Sequence, residues 1–301
     1  MKVKVGTRGS KLALTQTNWV VNQLRAHNPG VEFEVEIIKT KGDMIQNIPL
    51  DKIGDKGLFT KEIELKLLDG SIDLAVHSMK DMPSKLPEGL KFSYTPPRED
   101  MRDALVLKEG YSTLTDLPQG ATIGTGSKRR KYQLLALRPD LNIVPIRGNV
   151  DTRIRKIETE NLDGVVLAAA GLKRVGLEDK ISYYLSPEEV LPAPAQGVLA
   201  IEVRKNDSHI DALMKSIYDE TAKIQVEAER SFLDTLEGSC HIPVGAYCKV
   251  EGENITLTGL YGDEEGTILI KKSLTGHKDE AVLIGKKLAE EVREAFKNEK
   301  G

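Results

Sequence analysis

One stretch of the sequence indicates the fold more clearly than any other: Asp73-Leu74-Ala75-Val76-His77-Ser78-Met79-Lys80-Asp81-Met82-Pro83. It begins with a short apolar run, which is typical of a buried strand. Polar residues follow, and Pro83 disfavours a helical conformation for the residue before it. Because ligands of open α/β sheets bind beyond the carboxyl ends of the strands, Lys80 and Asp81 stand where functional side chains are expected. This stretch alone also allows a solvent-exposed turn with an incidental Lys-Asp pair.

The residues before this stretch predict strands that alternate with helices. Residues 3–7 and 31–40 have strand patterns, and Ser10 is a good N-cap for the helix between them. Residues 60–69 predict a second helix, which leads into the opening strand. This order of elements is typical of a mostly parallel sheet.

Two segments are predicted to cover or connect these elements. Residues 42–57 are predicted to be a polar, glycine-containing loop that carries Lys52 and Lys56. Loops of this length are usually functional, so we expect it to be mobile or to cover a ligand. The Pro- and Ala-rich segment 191–197 is a candidate hinge.

The alternation of strands and helices starts again near Asp103, and the strand predicted at residues 198–203 is expected to rejoin the first sheet. The last region differs, since a long helix, three alternating strands and a Lys/Glu-rich helix predict a small α+β domain with an antiparallel sheet. The sequence therefore predicts three domains: residues 1–97 together with 194–216, residues 98–193, and residues 217–301.

Composition limits the classes of function. The chain has 301 residues, 40% of them hydrophobic and 30% charged, with a net charge of −3. Its isoelectric point of about 6.1 disfavours a general nucleic-acid binder. It has no apolar run of membrane-spanning length and no signal-peptide pattern, so we expect a cytoplasmic protein with neither nucleic-acid nor membrane partners. Cys240 and Cys248 fit no metal-binding spacing, so no metal is predicted and both are expected to be thiols.

A short repeat links the two α/β regions. Residues 6–11 read Gly-Thr-Arg-Gly-Ser-Lys and residues 124–128 read Gly-Thr-Gly-Ser-Lys, and each follows a strand and opens a helix. Helix N-termini bind anions through their unpaired N–H groups. The repeat predicts two similarly wound domains that face one another across a cleft, although two glycine turns can also match by chance. Neither copy has the glycine spacing of a Walker A loop.

Arginines cluster at the predicted strand ends: Arg8, Arg129, Arg130, Arg147 and Arg174. Guanidinium groups bind carboxylates and phosphates with two hydrogen bonds, so the set favours a polyanionic small molecule over a merely solvated surface. Asp81 would then be a carboxylate among cations, suited to stabilise a developing cation or to pass a proton, or else a simple counter-ion. Cys240 lies in a glycine-bearing loop where a thiol can be reactive.

Taken together, these motifs resemble one family, hydroxymethylbilane synthase, also called porphobilinogen deaminase. The resemblance extends over nearly the whole chain. It rests, beyond the first repeat, on residues 77–83 (His-Ser-Met-Lys-Asp-Met-Pro), 124–130 (Gly-Thr-Gly-Ser-Lys-Arg-Arg), 147–150 (Arg-Gly-Asn-Val), 170–174 (Ala-Gly-Leu-Lys-Arg), 196–197 (Gln-Gly) and 237–240 (Glu-Gly-Ser-Cys). Two positions depart from the family pattern, which often has serine at Gly126 and glycine at Ser239.

The resemblance implies two α/β domains of the periplasmic-binding-protein-like type II class, followed by a small α+β domain with a three-stranded antiparallel sheet. It implies the condensation of four porphobilinogen molecules, with loss of ammonia, into linear hydroxymethylbilane. A dipyrromethane cofactor would be joined by a thioether to Cys240, and Asp81 would be catalytic. A monomer is expected.

The resemblance also implies roles for further residues. Those matching cofactor-binding positions are Lys80, Asp81, Thr125, Ser127, Arg129, Arg130, Arg147 and Gly148. Those matching substrate-binding positions are Arg8, Ser10, Arg147, Arg153, Arg174 and Gln196. Lys52 and Lys56 match lysines of a mobile loop. The alternatives are a non-enzymatic, two-lobed anion-binding protein, which would carry no covalent group on Cys240, and a nucleic-acid binder, whose affinity would depend steeply on salt.

Overall fold

The computed structural model describes residues 1–44, 60–236 and 242–300. The strands in these ranges are β1 (Lys2–Thr7), β2 (Glu32–Ile37), β3 (Leu74–Ser78), β4 (Leu90–Phe92), β5 (Asp103–Leu107), β6 (Thr122–Gly124), β7 (Asn142–Val144), β8 (Gly164–Ala168), β9 (Tyr183–Leu185), β10 (Leu199–Arg204), β11 (Val244–Glu251), β12 (Asn254–Gly262) and β13 (Leu269–His277).

The α-helices in the same ranges are α1 (Lys11–His27), α2 (Lys41–Met44), α3 (Lys61–Leu68), α4 (Lys128–Leu137), α5 (Val150–Thr159), α6 (Ala169–Arg174), α7 (Ser208–Met214), α8 (Glu220–Thr235) and α9 (Ala281–Lys300). Short 3₁₀ turns include Met79–Asp81, directly after β3. None of these helices is both long enough and apolar enough to cross a membrane.

The chain divides into two compact units, Met1–Arg98 with Val198–Lys223, and Glu99–Gly197 with Ile224–Gly301. The first unit contains a five-stranded sheet in the order β2-β1-β3-β10-β4. Strands β1, β2 and β3 are parallel, and β10 runs antiparallel to both of its neighbours. The strand predicted at residues 198–203 therefore does join the first sheet.

Apolar stripes on two helices explain how this sheet is covered. Val20 and Leu24 of α1 are buried with Val5 and Val76, on one face of the sheet. Leu67 of α3 is buried in a separate cluster. Side chains alternate between the two faces of a strand, so neighbouring residues of β3 contribute to both clusters.

The second unit repeats this arrangement. Its five-stranded sheet has the order β7-β6-β8-β5-β9, with β6 parallel to β7 and β8, and β5 antiparallel to β8 and β9. Strand β6 thus takes the place of β1, and β5 takes the place of β10. The expectation of two similarly wound α/β domains of the type II class is confirmed.

The C-terminal part of the second unit is the predicted small α+β domain. Strands β11, β12 and β13 form an antiparallel sheet, and α8 and α9 contribute to the core that covers it. Gly259 of β12 is required by this packing, because a Cβ atom there would lie 2.5 Å from the Phe232 ring.

The segment predicted to be a hinge, residues 191–197, is instead tightly held within the second unit. Ala195 adopts a positive φ of 58°, and its N–H donates to Glu229 Oε2 of α8 at 2.6 Å. Ala246 N donates to the Pro192 carbonyl at 3.0 Å. These bonds argue against this segment as a hinge. The three predicted domain boundaries stay predictions, while the second unit extends to Gly197.

Candidate functional site

The turn after β3 presents Lys80 and Asp81. Met79 and Met82 flank them, and both methionine side chains are buried. The Met79 N–H donates to the Val198 carbonyl at 3.0 Å, which fixes the start of the turn to the chain just before β10. The Asp81 side chain is exposed and has no hydrogen-bonding or charged partner among the residues that the structure describes. A rigid turn therefore holds a carboxylate that is available to a ligand.

The end of β1 lies next to this turn in the first unit. Since β1 and β3 are parallel neighbours, Arg8 and Ser10 follow β1 at the sheet edge where Lys80 and Asp81 follow β3. The Ser10 hydroxyl caps α1 by accepting a hydrogen bond from Ala13 N at 3.2 Å. The structure thus brings Arg8, Ser10, Lys80 and Asp81 to one sheet edge.

The repeated sequence motif has the same structural role in the second unit. Ser127 caps α4 and accepts a hydrogen bond from Arg130 N at 3.4 Å, as Ser10 does for α1. Ser127 N donates to Thr125 Oγ1 at 3.3 Å, so the turn after β6 is closed by its own side chains. Both repeats place a serine-capped helix after corresponding strands of their sheets.

Arg129 and Arg130 do not extend into solvent. Both are buried, and both bind the carboxylate of Asp103, which is fully buried at the start of β5. Arg129 Nη1 lies 2.7 Å from Asp103 Oδ2, and Arg130 donates to Oδ1 from Nε at 3.0 Å and from Nη2 at 2.7 Å. Gln196 is fully buried as well and donates to the same Oδ1 at 2.9 Å.

Charge balance in this cluster favours anions. Burial by itself would raise the pKa of Asp103, but the guanidinium groups of Arg129 and Arg130 hold it well below its ordinary value. Burial also lowers the pKa of Arg129, an effect that Asp103 opposes. Two guanidinium groups share one carboxylate, so the cluster keeps an excess of positive charge that a carboxylate ligand would neutralise.

The other predicted arginines of the second unit also follow strand ends. Arg147 is partly buried between β7 and α5, next to Gly148, whose φ is 121°. Arg153 Nε donates to the Gly148 carbonyl at 2.7 Å. Arg174, at the end of α6, donates to the Gly197 carbonyl at 2.7 Å, and burial lowers its pKa to about 10 against the opposing charge of Glu99.

Three predicted residues, Lys52, Lys56 and Cys240, lie outside the described residues, as does Ser239. Asp103 was not predicted as a site residue. An acidic residue at the start of an otherwise apolar strand was the available signal, because a buried charge requires a partner. The identity of that partner could not be read from the sequence, since the arginines lie far along the chain.

We expect Asp103→Asn to destabilise the second unit. Asparagine keeps the shape but leaves two buried guanidinium groups without a counter-charge, a change that typically costs about 3–5 kcal/mol. Because the pKa of Asp103 is depressed, its stabilising effect is fully present above the ordinary value of 3.8 and is lost as the pH falls below it. Denaturant unfolding of the wild type and of Asp103→Asn, at pH values above and below 3.8, measures the difference in the free energy of unfolding.

The matched control is Asp140→Asn at the other end of α4. Asp140 pairs with Arg138 through two hydrogen bonds of 2.8 Å, but this pair is partly exposed, so water screens it and little change is expected. Equal losses of stability in the two variants would contradict the importance of burial at Asp103.

Two α/β sheets of corresponding strand order, with cationic residues and capped helices after their strands, are typical of proteins that bind anionic small molecules. Comparison with known proteins gives the family. Residues 3–212 match the family model for porphobilinogen deaminase, dipyrromethane cofactor binding domain, and residues 223–294 match the model for porphobilinogen deaminase, C-terminal domain. The chain belongs to the porphobilinogen deaminase family. It is therefore a transferase of tetrapyrrole biosynthesis that uses a dipyrromethane cofactor, as the sequence motifs implied.

Individual relatives are similar over most or all of their length. The porphobilinogen deaminase of Clostridioides difficile (strain 630) is 61% identical over 100% of both chains. That of Clostridium novyi (strain NT) is 59% identical over 88% of this chain and 89% of its own. Among solved structures, the methionine binding protein MetQ matches 76% of this chain and 94% of its own at 12% identity, with a TM-score of 0.44. The VFT2 domain of Bordetella pertussis BvgS matches 77% and 91% at 15% identity, with a TM-score of 0.42.

Proposed function

We propose that this chain condenses porphobilinogen into linear hydroxymethylbilane with Asp81 as its catalytic carboxylate and Cys240 as the attachment point of the cofactor. The observation that carries the proposal for Asp81 is its position. It is an exposed carboxylate without a partner among the described residues, held by a turn whose flanking methionines are buried. Family membership supplies the reaction, and this geometry supports the choice of Asp81.

The Asp81 carboxylate can stabilise a positive charge and can also accept a proton. Loss of ammonia from porphobilinogen leaves an electron-poor pyrrole, and a fixed carboxylate stabilises positive charge that develops nearby. The same carboxylate can hold the pyrrole N–H by a hydrogen bond and accept the proton released when the ring regains its aromaticity. Lys80, next to Asp81 in the turn, is proposed to bind a carboxylate group.

The residues of the second unit fit a dipyrromethane group. Pyrroles of this pathway carry acetate and propionate side chains, so several carboxylates need partners. The excess positive charge around Asp103 and the serine-capped start of α4 provide such partners. When bound, the cofactor supplies the nucleophilic pyrrole carbon from which the chain grows.

We divide the remaining roles as the family pattern suggests. The cofactor carboxylates are proposed to be bound by Thr125, Ser127, Arg129, Arg130, Arg147 and Gly148. Substrate carboxylates are proposed to be bound by Arg8, Ser10, Arg147, Arg153 and Arg174. Gln196 is also proposed for substrate binding, and its bond to Asp103 supports a role in orienting the two arginines.

Intact mass spectrometry combined with an activity assay tests this function. Protein purified from cells should carry covalent pyrrole mass and should convert porphobilinogen to hydroxymethylbilane with release of ammonia. A chain that binds porphobilinogen but has neither covalent mass nor turnover would be the non-enzymatic anion-binding alternative. A cytoplasmic location and a monomeric state remain predictions from the sequence, and sedimentation tests the latter.

A further inference from the structure

The first unit contains a buried group of titratable side chains that the proposed chemistry does not use. His77 of β3 and Glu202 of β10 are 7% and 0% exposed. His77 Nε2 lies 3.1 Å from Glu202 Oε2. The second carboxylate oxygen, Glu202 Oε1, is buried and has no hydrogen-bond partner within residues 1–44, 60–236 and 242–300. A buried carboxylate with only one satisfied oxygen is costly, so its presence calls for an explanation.

A second carboxylate faces this pair. Glu64, in the first turn of α3, is 8% exposed. Burial raises the pKa of Glu64, and the negative charges of Glu202 and Glu62 raise it further, while His77 opposes the shift. The titratable groups that face Glu64 are thus His77 from β3, Glu202 from β10 and Glu62 from its own helix. Two carboxylates are thus buried beside one imidazole, an arrangement that disfavours the ionised form of Glu64.

The cluster lies directly before the turn that carries Asp81. In the antiparallel pairing of β10 with β3, Ala200 is opposite His77 and Leu199 is opposite Ser78. The next link between the two segments is the bond from Met79 N to the Val198 carbonyl, at the start of the turn. The bond between His77 and Glu202 therefore ties β3 to β10 by side chains at the point where the backbone leaves the sheet.

We propose that Glu202 is a positioning residue for the Lys80–Asp81 turn, acting through its buried contact with His77. The assignment rests on the proposed role of Asp81. It separates the two buried glutamates, because Glu202 is bonded to His77 and Glu64 is not, among the residues that the structure describes. Glutamine keeps the shape of either side chain and removes its negative charge.

The experiment compares Glu202→Gln with Glu64→Gln. We expect Glu202→Gln to lower kcat by about 10-fold or more, because small displacements of a reacting group are costly, while the KM for porphobilinogen and the covalent cofactor mass stay unchanged. Glu64→Gln should keep the wild-type kcat. His77→Gln should lower kcat as Glu202→Gln does, and the double variant should lose no more than either single one, since both disturb the same contact.

The pH dependence gives a readout that does not need activity. A carboxyl group whose pKa is raised by folding contributes fully to the stability of the folded protein only below its ordinary pKa of 4.5. This contribution is lost as the pH rises through the folded-state pKa. The Tm of Glu64→Gln should therefore exceed that of the wild type by an amount that grows as the pH rises above 4.5.

A destabilised control separates positioning from general loss of stability. Ile210→Val removes a methyl group from the core of the same unit, away from this cluster. When each variant is assayed at the same number of degrees below its own Tm, Glu202→Gln should have a lower kcat than Ile210→Val. Equal kcat values in these two variants, or an equal loss of kcat in Glu64→Gln and Glu202→Gln, would overturn the proposal. An inactive wild type would refute the proposed function instead, and the Tm difference would still test the cluster.

Discussion

Asp81→Asn is expected to lower the turnover of porphobilinogen by about 10²- to 10⁴-fold, the range typical of a lost acid–base group. Asparagine has nearly the shape of aspartate but cannot carry its negative charge or accept its proton. Because the Asp81 side chain is exposed, the variant should keep the wild-type Tm. It should also keep its covalent pyrrole mass. The measurements are kcat for hydroxymethylbilane formation, a thermal melt and an intact mass.

The matched control for this prediction is Glu88→Gln. Glu88 is an exposed carboxylate of the same unit that lies between the Asp81 turn and β4. Removing its charge changes the net charge by the same amount, so any long-range electrostatic effect is reproduced. We expect its kcat to match the wild type. Normal turnover in Asp81→Asn would refute the catalytic role, and a loss of turnover in both variants would assign the effect to net charge.

Elements with a strong local pattern were predictable from the sequence. The helix capped by Ser10, the strand before Lys80 and the strand that rejoins the first sheet are all present in the structure. Each combines an apolar periodicity with a capping or terminating residue, and such signals need no knowledge of distant parts of the chain. The short edge strands β4 and β9 were not predicted, because neither leads into a capped helix that would mark it as part of the alternating pattern.

Local sequence patterns could not predict which residues surround the arginines. Arg129 and Arg130 stand in the first turn of a helix, where positive charge opposes the helix dipole, and such a placement favours an anionic ligand. The structure adds a resident anion, Asp103, from a strand whose partners are set by the sheet order and not by neighbouring sequence. The same holds for Glu202, whose contact with His77 depends on the pairing of β10 with β3. Long-range pairing thus decides which charges remain available to a ligand.

Cys240→Ala is expected to abolish both the covalent pyrrole mass and turnover, whereas Cys248→Ala should keep both. The surroundings of Cys248 explain why this second cysteine should not carry the pyrrole group. Cys248 is fully buried in β11. Its N–H donates to Glu229 Oε1 at 2.9 Å, and its carbonyl accepts a hydrogen bond from Gln225 Nε2 at 2.9 Å. A thiol held inside a core has neither the exposure nor the thiolate character that alkylation requires.

Peptide mapping completes this test, because it locates the mass as well as detecting it. In the wild type the added mass should be found on the peptide that contains Cys240 and not on the one that contains Cys248. The Tm of Cys240→Ala should fall, since a bound polyanion no longer offsets the excess positive charge around Asp103 in the second unit. Pyrrole mass on Cys248, or full turnover from Cys240→Ala, would show that chain growth does not start from residue 240. A Tm equal to that of the wild type would show that the cofactor carboxylates do not neutralise the buried arginines.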